Sequence, residues 1–191
     1  MLTSAHLSPI FNAAFSAYHI AFGIANRSWW LFTIGVYYVL LSAVRFFVLR
    51  SKAEGRSILR FAGIVLMVLS LPLAGTVILS FVKDRGTKHH LIVMLAIAVY
   101  AFTKITVASI RWAKARNSAE AKRIALRNIS FANAFVSIFA LQRSMLVTFE
   151  GMAETEIRTM NAATGSAVCV IVFLLGFHLV YKKAAVGKTE Q

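Results

Sequence analysis

Three ionisable side chains, Arg45, Lys104 and Arg143, stand inside long apolar runs of this 191-residue chain. A charge inside a membrane helix is expensive unless it is paired, hydrated or able to reach an interface, so each marks a candidate for function. Lys104 precedes Arg111 by seven residues, which on a helix places it about 10 Å from the flanking interface. Asn12 and Asn133 fall at about the same depth. Turned inward, Lys104, Asn12 and Asn133 would line a cationic, hydrogen-bonding niche. No Asp or Glu lies at that depth, so the niche suits an anion or an anionic headgroup better than a metal ion. Tyr38 and Gln142 are further candidates to line a solute path.

Each of these residues also has a plainer reading. Asn and Gln join helices to one another in lipid. Arg45, five residues before Arg50, can extend its head to the interface, as Lys104 can. Arg143 can do the same on the opposite side or pair with an acid there. For Arg45, Arg50, Arg56, Arg111, Arg116 and Lys182 the expected role is contact with lipid headgroups and control of topology. Other chemistry has little to stand on. HExxH, paired-cysteine, Walker and GxSxG motifs do not occur. His89 and His90 are adjacent and would point different ways on a helix. The expectation is no enzyme, no metal and no cofactor.

These side chains need elements to position them, and the composition says which. Hydrophobic residues make up 59% of the chain, above the roughly 45–50% of soluble domains. They form six runs, at about 5–26, 28–50, 58–82, 90–112, 124–149 and 162–181. About 20 residues of helix cross a hydrocarbon core, and only a helix satisfies its own backbone there. The expected fold is therefore an all-α, polytopic bundle of six transmembrane helices in one domain, 1–191. The count is five if the first run, which carries Asn12 and His19, lies in the interface. That first run lacks the basic start of a cleavable signal and is expected to be retained.

The net charge of +14 would suggest nucleic acid in a soluble protein. Here the charges collect at helix ends. Stretches 50–60, 111–127 and 182–188 hold most of the 21 Lys and Arg, and they lie on one side of the six-run scheme. The positive-inside rule makes that side cytoplasmic, with both termini there. Trp29 and Trp30 would mark the outer interface and Trp112 the inner one. Pro72, inside the third run, should kink its helix. In the run Ala163, Gly165, Ala167 and Cys169, small residues would let helices approach closely. The outer segment GMAETEIRTMN is expected to form a surface helix or loop.

The inner helix ends also repeat. Arg45, Arg50, Ala53 and Glu54 recur 66 residues later as Arg111, Arg116, Ala119 and Glu120. A further shift of the same size brings Arg50 to Lys182 and Arg56 to Lys188, while Arg45 meets Phe177. Either three helix hairpins repeat around an axis along the membrane normal, or similar composition has converged at equivalent helix ends.

Ser28-Trp29-Trp30, Tyr37-Tyr38, Arg45-Phe46, the stretch NAFVSIFALQRSM (133–145) and TGSAVC (164–169) together resemble a family of small uncharacterised membrane proteins encoded in Firmicute genomes. That resemblance implies membrane location and no activity. The P-x-[DE]-x-x-[KR] motif of six-helix carriers with threefold pseudosymmetry is absent, so kinship to them is not drawn. Two functions remain: a small transporter or channel for an anionic or amphiphilic solute, or a non-transporting subunit or scaffold. The subunit would bind a partner protein, another copy of the chain or anionic lipid. A polar site holding Lys104 inside the bundle favours the first. A Lys104 directed to headgroups favours the second.

Overall fold

The computed structural model describes residues 16–21, 23–25, 27, 29–51, 55–83, 91–115, 120–148 and 151–182. Among them every regular element is a helix. Residues 16–21 and 23–25 form α1. Five long helices follow: α2 (Trp29–Arg50), α3 (Arg56–Lys83), α4 (Leu91–Ala115), α5 (Ala121–Thr148) and α6 (Glu154–Tyr181). Four of them, α2, α3, α5 and α6, are long and apolar enough to cross a membrane, counted among the described residues. At 28 residues each, α3, α5 and α6 rise about 42 Å, more than the roughly 30 Å of a hydrocarbon core.

Local chemistry fits that setting. Hydroxyls on these helices donate back to carbonyls one turn earlier: Thr103 to Val99, Thr106 to Phe102 and Ser144 to Ala140. Each donor is thereby satisfied without water. Large apolar side chains such as Leu71, Ile78, Leu95, Phe102 and Leu174 are exposed on the outside of the bundle. A water-facing surface does not tolerate patches of that extent; hydrocarbon does.

Two places bring backbones close together. Where α3 crosses α6, a Cβ built on Gly63 would lie 2.6 Å from the Gly176 carbonyl oxygen, and one built on Gly176 would lie 2.7 Å from the Gly63 carbonyl oxygen. Glycine at both positions is what lets the helices meet so closely. The apolar run at the start of α6 divides differently from the expected stripe of small residues. Gly165 is buried against Val77 and Phe139, whereas Ala163 and Ala167 are exposed. In the other close approach, α1 lies along α2: a Cβ on Gly35 would meet Ile20 at 2.6 Å, and one on Gly23 would meet the Phe32 nitrogen at 2.6 Å.

The helix order around the bundle follows from who touches whom. α5 packs against α2, α3, α4 and α6, and α4 packs against α5. α5 is the most enclosed of the four apolar helices, although it carries Ser130, Asn133, Ser137, Arg143 and Ser144 on buried positions. Among the described residues no Cα of α3 comes within 8 Å of one of α4, whereas α5 and α6 do pack together. The hairpins α3–α4 and α5–α6 are thus not packed alike. Their starts differ too. Gly55 holds φ +68° ahead of α3, a value that suits glycine, while its counterpart Ala121 is already the first residue of α5.

Other details refine the sequence reading. The acidic segment GMAETEIRTMN is no separate element: residues from Glu154 onward form the first turns of α6. The Ala153 N–H donates to the Glu156 carboxylate at 3.0 Å, and Arg158 pairs with Glu154 at 2.7 Å. α3 continues as helix through Pro72, which sits on an exposed face. Gly151, at φ +123°, makes the turn ahead of α6.

Candidate functional site

The site is built from three helices whose inward stripes share a register. On α2, Tyr38 and Arg45 are seven residues apart. On α5, which runs the other way, Ser137 and Ser130 have the same spacing. On α4, Tyr100 is followed by Lys104 and Arg111. Seven residues of helix rise about 10 Å, and on α4 Lys104 and Arg111 lie about 6 and 16 Å along from Tyr100, so long side chains from the three helices reach two levels.

The upper level is aromatic. Tyr38 is fully buried, and its ring is met edge-on by His19 of α1, Tyr37 of α2 and Tyr100 of α4, at centroid distances of 6.0, 6.5 and 5.8 Å. Such T-shaped pairs place a positive ring edge against a negative ring face. The Tyr38 hydroxyl donates to Ser137 Oγ at 3.1 Å, and Ser137 in turn donates to the Asn133 carbonyl at 2.8 Å. The Asn133 side chain is buried, and its Oδ1 accepts no hydrogen bond among the described residues. A buried acceptor of that kind is costly, and it lies beside the tyrosine level.

The lower level is cationic. Lys104 Nζ sits 4.9 Å from the centre of the Tyr100 ring, within cation–π range. Arg111 donates from Nη1 to Ser130 Oγ at 2.6 Å. Arg45 and Arg111 are both near enough to Lys104 to repel its charge, and they repel one another. α2, α4 and α5 contain no Asp or Glu along their lengths. An anion about 4 Å from one such cation gains about 4 kcal/mol at an effective dielectric of about 20, before the loss of its own hydration is counted.

The structure thus joins Lys104, Tyr38 and Asn133 through Tyr100 and Ser137. Asn12 lies outside the described residues, as does Arg116. Gln142 is elsewhere: its Nε2 donates to Thr164 Oγ1 at 2.8 Å, tying α5 to α6. Arg143, the next residue of α5, is buried at 4% exposure rather than extended to an interface. Among the expected lipid anchors, Arg50 and Arg56 are exposed, with Arg50 over the Phe46 ring at 5.8 Å. Lys182 closes α6, its N–H donating to the His178 carbonyl. Arg45 and Arg111 differ from these in facing the cluster. Phe177, which the second 66-residue shift aligns with them, instead stacks between Phe173 and Tyr181 on the exposed face of α6.

Sequence reasoning missed Tyr100, Ser130 and Ser137. The signal was present in the seven-residue spacing shared by Tyr38–Arg45 and Ser130–Ser137. Arg127 belongs to the basic stretch 111–127 at the helix ends. It is buried, with its guanidinium 4.7 Å from the Trp112 ring centre.

The arrangement can bind an anion and offer it hydrogen bonds. It supplies no nucleophile held by a base. Among the described residues no three His, Cys, Asp or Glu side chains gather to hold a metal ion. Comparison with protein-family models, curated proteins and solved structures gives no match to this chain.

Proposed function

We propose that this is a six-span membrane protein that carries an anionic or amphiphilic solute, with the Arg45–Lys104–Arg111 cluster as its inner binding site. The single observation behind this reading is the placement of two cations of α4 against the polar interior of the bundle: Lys104 Nζ stands 4.9 Å from the Tyr100 ring centre and Arg111 donates to Ser130 Oγ of α5 at 2.6 Å. Cations facing a bundle interior are the ones associated with solute pathways. The same scheme puts both termini and the stretches 50–60, 111–127 and 182–188 in the cytoplasm, by the positive-inside rule. The contact of α1 with α2 supports a first helix that spans. The unequal packing of the hairpins favours convergence over ancestral repetition.

A second reading is a non-transporting subunit or scaffold that holds an anionic lipid. The observation in its favour is the tyrosine level, where Tyr38 fills the space above the cations. Proteoliposome flux separates the two. Purified protein is reconstituted, and uptake is followed for a panel of inorganic anions, carboxylates and charged amphiphiles, with wild type, Lys104→Ala and empty vesicles. Transport predicts uptake of at least one solute by wild type that Lys104→Ala reduces severalfold. Equal uptake in all three preparations across the panel would remove the transporter reading.

A further inference from the structure

Beside the turn from α1 to α2 lies an open groove of about 450 Å³, lined by Gly23, Ile24, Arg27, Trp29 and Phe32. We propose that this groove binds one anionic phospholipid, with the headgroup phosphate on Arg27 and an acyl chain along Ile24, Trp29 and Phe32. The inference rests on the membrane reading, which brings this turn to an interface, and not on transport.

Three observations carry it. First, the groove has a cationic rim and apolar walls. Arg27 is exposed, and its guanidinium pairs with no carboxylate among the described residues. The walls are Ile24 and the rings of Trp29 and Phe32, which meet edge to face with centroids 6.3 Å apart. Gly23, whose backbone lies against that of Phe32, adds no side chain to fill the space. A phospholipid is divided in the same way, with a charged head on an apolar chain. A soluble anion would leave the walls uncovered, and an uncharged lipid would leave Arg27 without a counter-charge. The volume falls within the roughly 300–1,000 Å³ of ligand pockets.

Second, Trp29 and Ile24 are 72% and 64% exposed. An indole so placed is favoured at a membrane interface, between headgroups and chains. Lipid is the molecule that surrounds it there.

Third, the backbone of Arg27 is strained. It stands at φ +50°, the one non-glycine residue at positive φ among the described residues. Its N–H donates to the Ile24 carbonyl at 3.2 Å. Glycine would make this turn without the steric cost that arginine meets. Strain of this kind collects at ligand sites. What arginine supplies and glycine lacks is the guanidinium, whose planar fork suits phosphate oxygens.

The test is competitive lipid retention. Purified protein in an uncharged detergent is mixed with equimolar phosphatidylglycerol and phosphatidylcholine of the same chain length. Native mass spectrometry then counts the lipids retained by wild type, Arg27→Gly, Trp29→Ala and Arg158→Gln. Arg27→Gly removes the guanidinium and suits the backbone, so it should melt no lower than wild type. Arg158→Gln removes the same charge from a residue already paired with Glu154. Glycerol phosphate, a headgroup without chains, serves as competitor. Gel filtration and thermal melting verify folding.

Wild type should retain one phosphatidylglycerol about tenfold in preference to phosphatidylcholine. Arg27→Gly should abolish that preference, because losing a charge-assisted hydrogen bond weakens binding about tenfold or more. Trp29→Ala should lower phosphatidylglycerol retention severalfold. Arg158→Gln should match wild type, and glycerol phosphate should displace no lipid. The inference is overturned if wild type shows no preference, or if folded Arg27→Gly or Trp29→Ala retains phosphatidylglycerol like wild type. It is equally overturned if Arg158→Gln loses as much as Arg27→Gly, or if glycerol phosphate displaces the lipid. Selective retention without solute flux would leave this site standing and remove the transport reading. Flux without selective retention would do the reverse.

Discussion

Gly63→Ala and Gly176→Ala should each loosen the α3–α6 crossing, and the structure gives the size of the effect. The new methyl of Gly63→Ala would lie 2.6 Å from the Gly176 carbonyl oxygen and 2.8 Å from Val180 Cγ2. In Gly176→Ala it would lie 2.7 Å from the Gly63 carbonyl oxygen and 3.0 Å from the Met67 nitrogen. These obstacles are largely backbone, so relief requires the helices to separate by several tenths of an ångström. Overpacking of that kind costs about 1–3 kcal/mol. Alanine returns about 1 kcal/mol through better helix propensity, leaving a net loss of up to about 2 kcal/mol. Gly75→Ala is the internal control. It lies in the same helix, and nothing stands within 4 Å of its added Cβ, so it should be neutral or gain up to about 1 kcal/mol. Unfolding in mixed micelles with increasing dodecyl sulfate, followed by circular dichroism, measures all three. If Gly63→Ala and Gly176→Ala match Gly75→Ala, the close crossing does not exist and the α3–α6 packing is wrong.

Two further substitutions probe the site and the topology. Tyr38→Phe removes one hydrogen bond to Ser137 and should cost about 1 kcal/mol in the same unfolding assay, whereas Tyr38→Ala also empties the space between three rings and should cost about 3–5 kcal/mol; equal effects would show that the ring contacts contribute nothing. In a Cys169→Ala background, Met152→Cys, at an exposed position before α6, should react with a membrane-impermeant maleimide on intact cells, while exposed Arg56→Cys should react only after lysis; the opposite pattern would invert the proposed orientation.

Depth along a helix was legible in the sequence, and rotation about its axis was not. Lys104 and Asn133 could be placed in one layer because helix rise is fixed and both are counted from charged ends. Whether Arg45 and Arg111 reach lipid or turn inward depends on which face of α2 and α4 packs on α5. With apolar residues all around these helices, no polar face marks that choice. Arg127 shows the same limit: it counts among the basic residues of a helix end, yet it is buried with its guanidinium against the Trp112 ring. The Gly63–Gly176 contact joins residues far apart in the chain, so no local pattern announces it. The repeat was visible because helix ends share requirements, but it did not foretell that α3 and α4 stand apart. Tyr38 entered the reading as a polar group inside an apolar run; its partners Tyr100 and Ser137 are ordinary helix residues until the fold brings them together.

The stability of Lys104→Glu relative to Lys104→Gln tests the convergence of the three cations most directly. If Arg45 and Arg111 flank position 104, the new carboxylate gains two opposite charges in place of two like ones. Lys104→Glu should then unfold at higher dodecyl sulfate than Lys104→Gln and at least as high as wild type. A Lys104→Glu protein less stable than Lys104→Gln would mean a carboxylate stranded in the bundle without partners, and the cationic site would not exist as described.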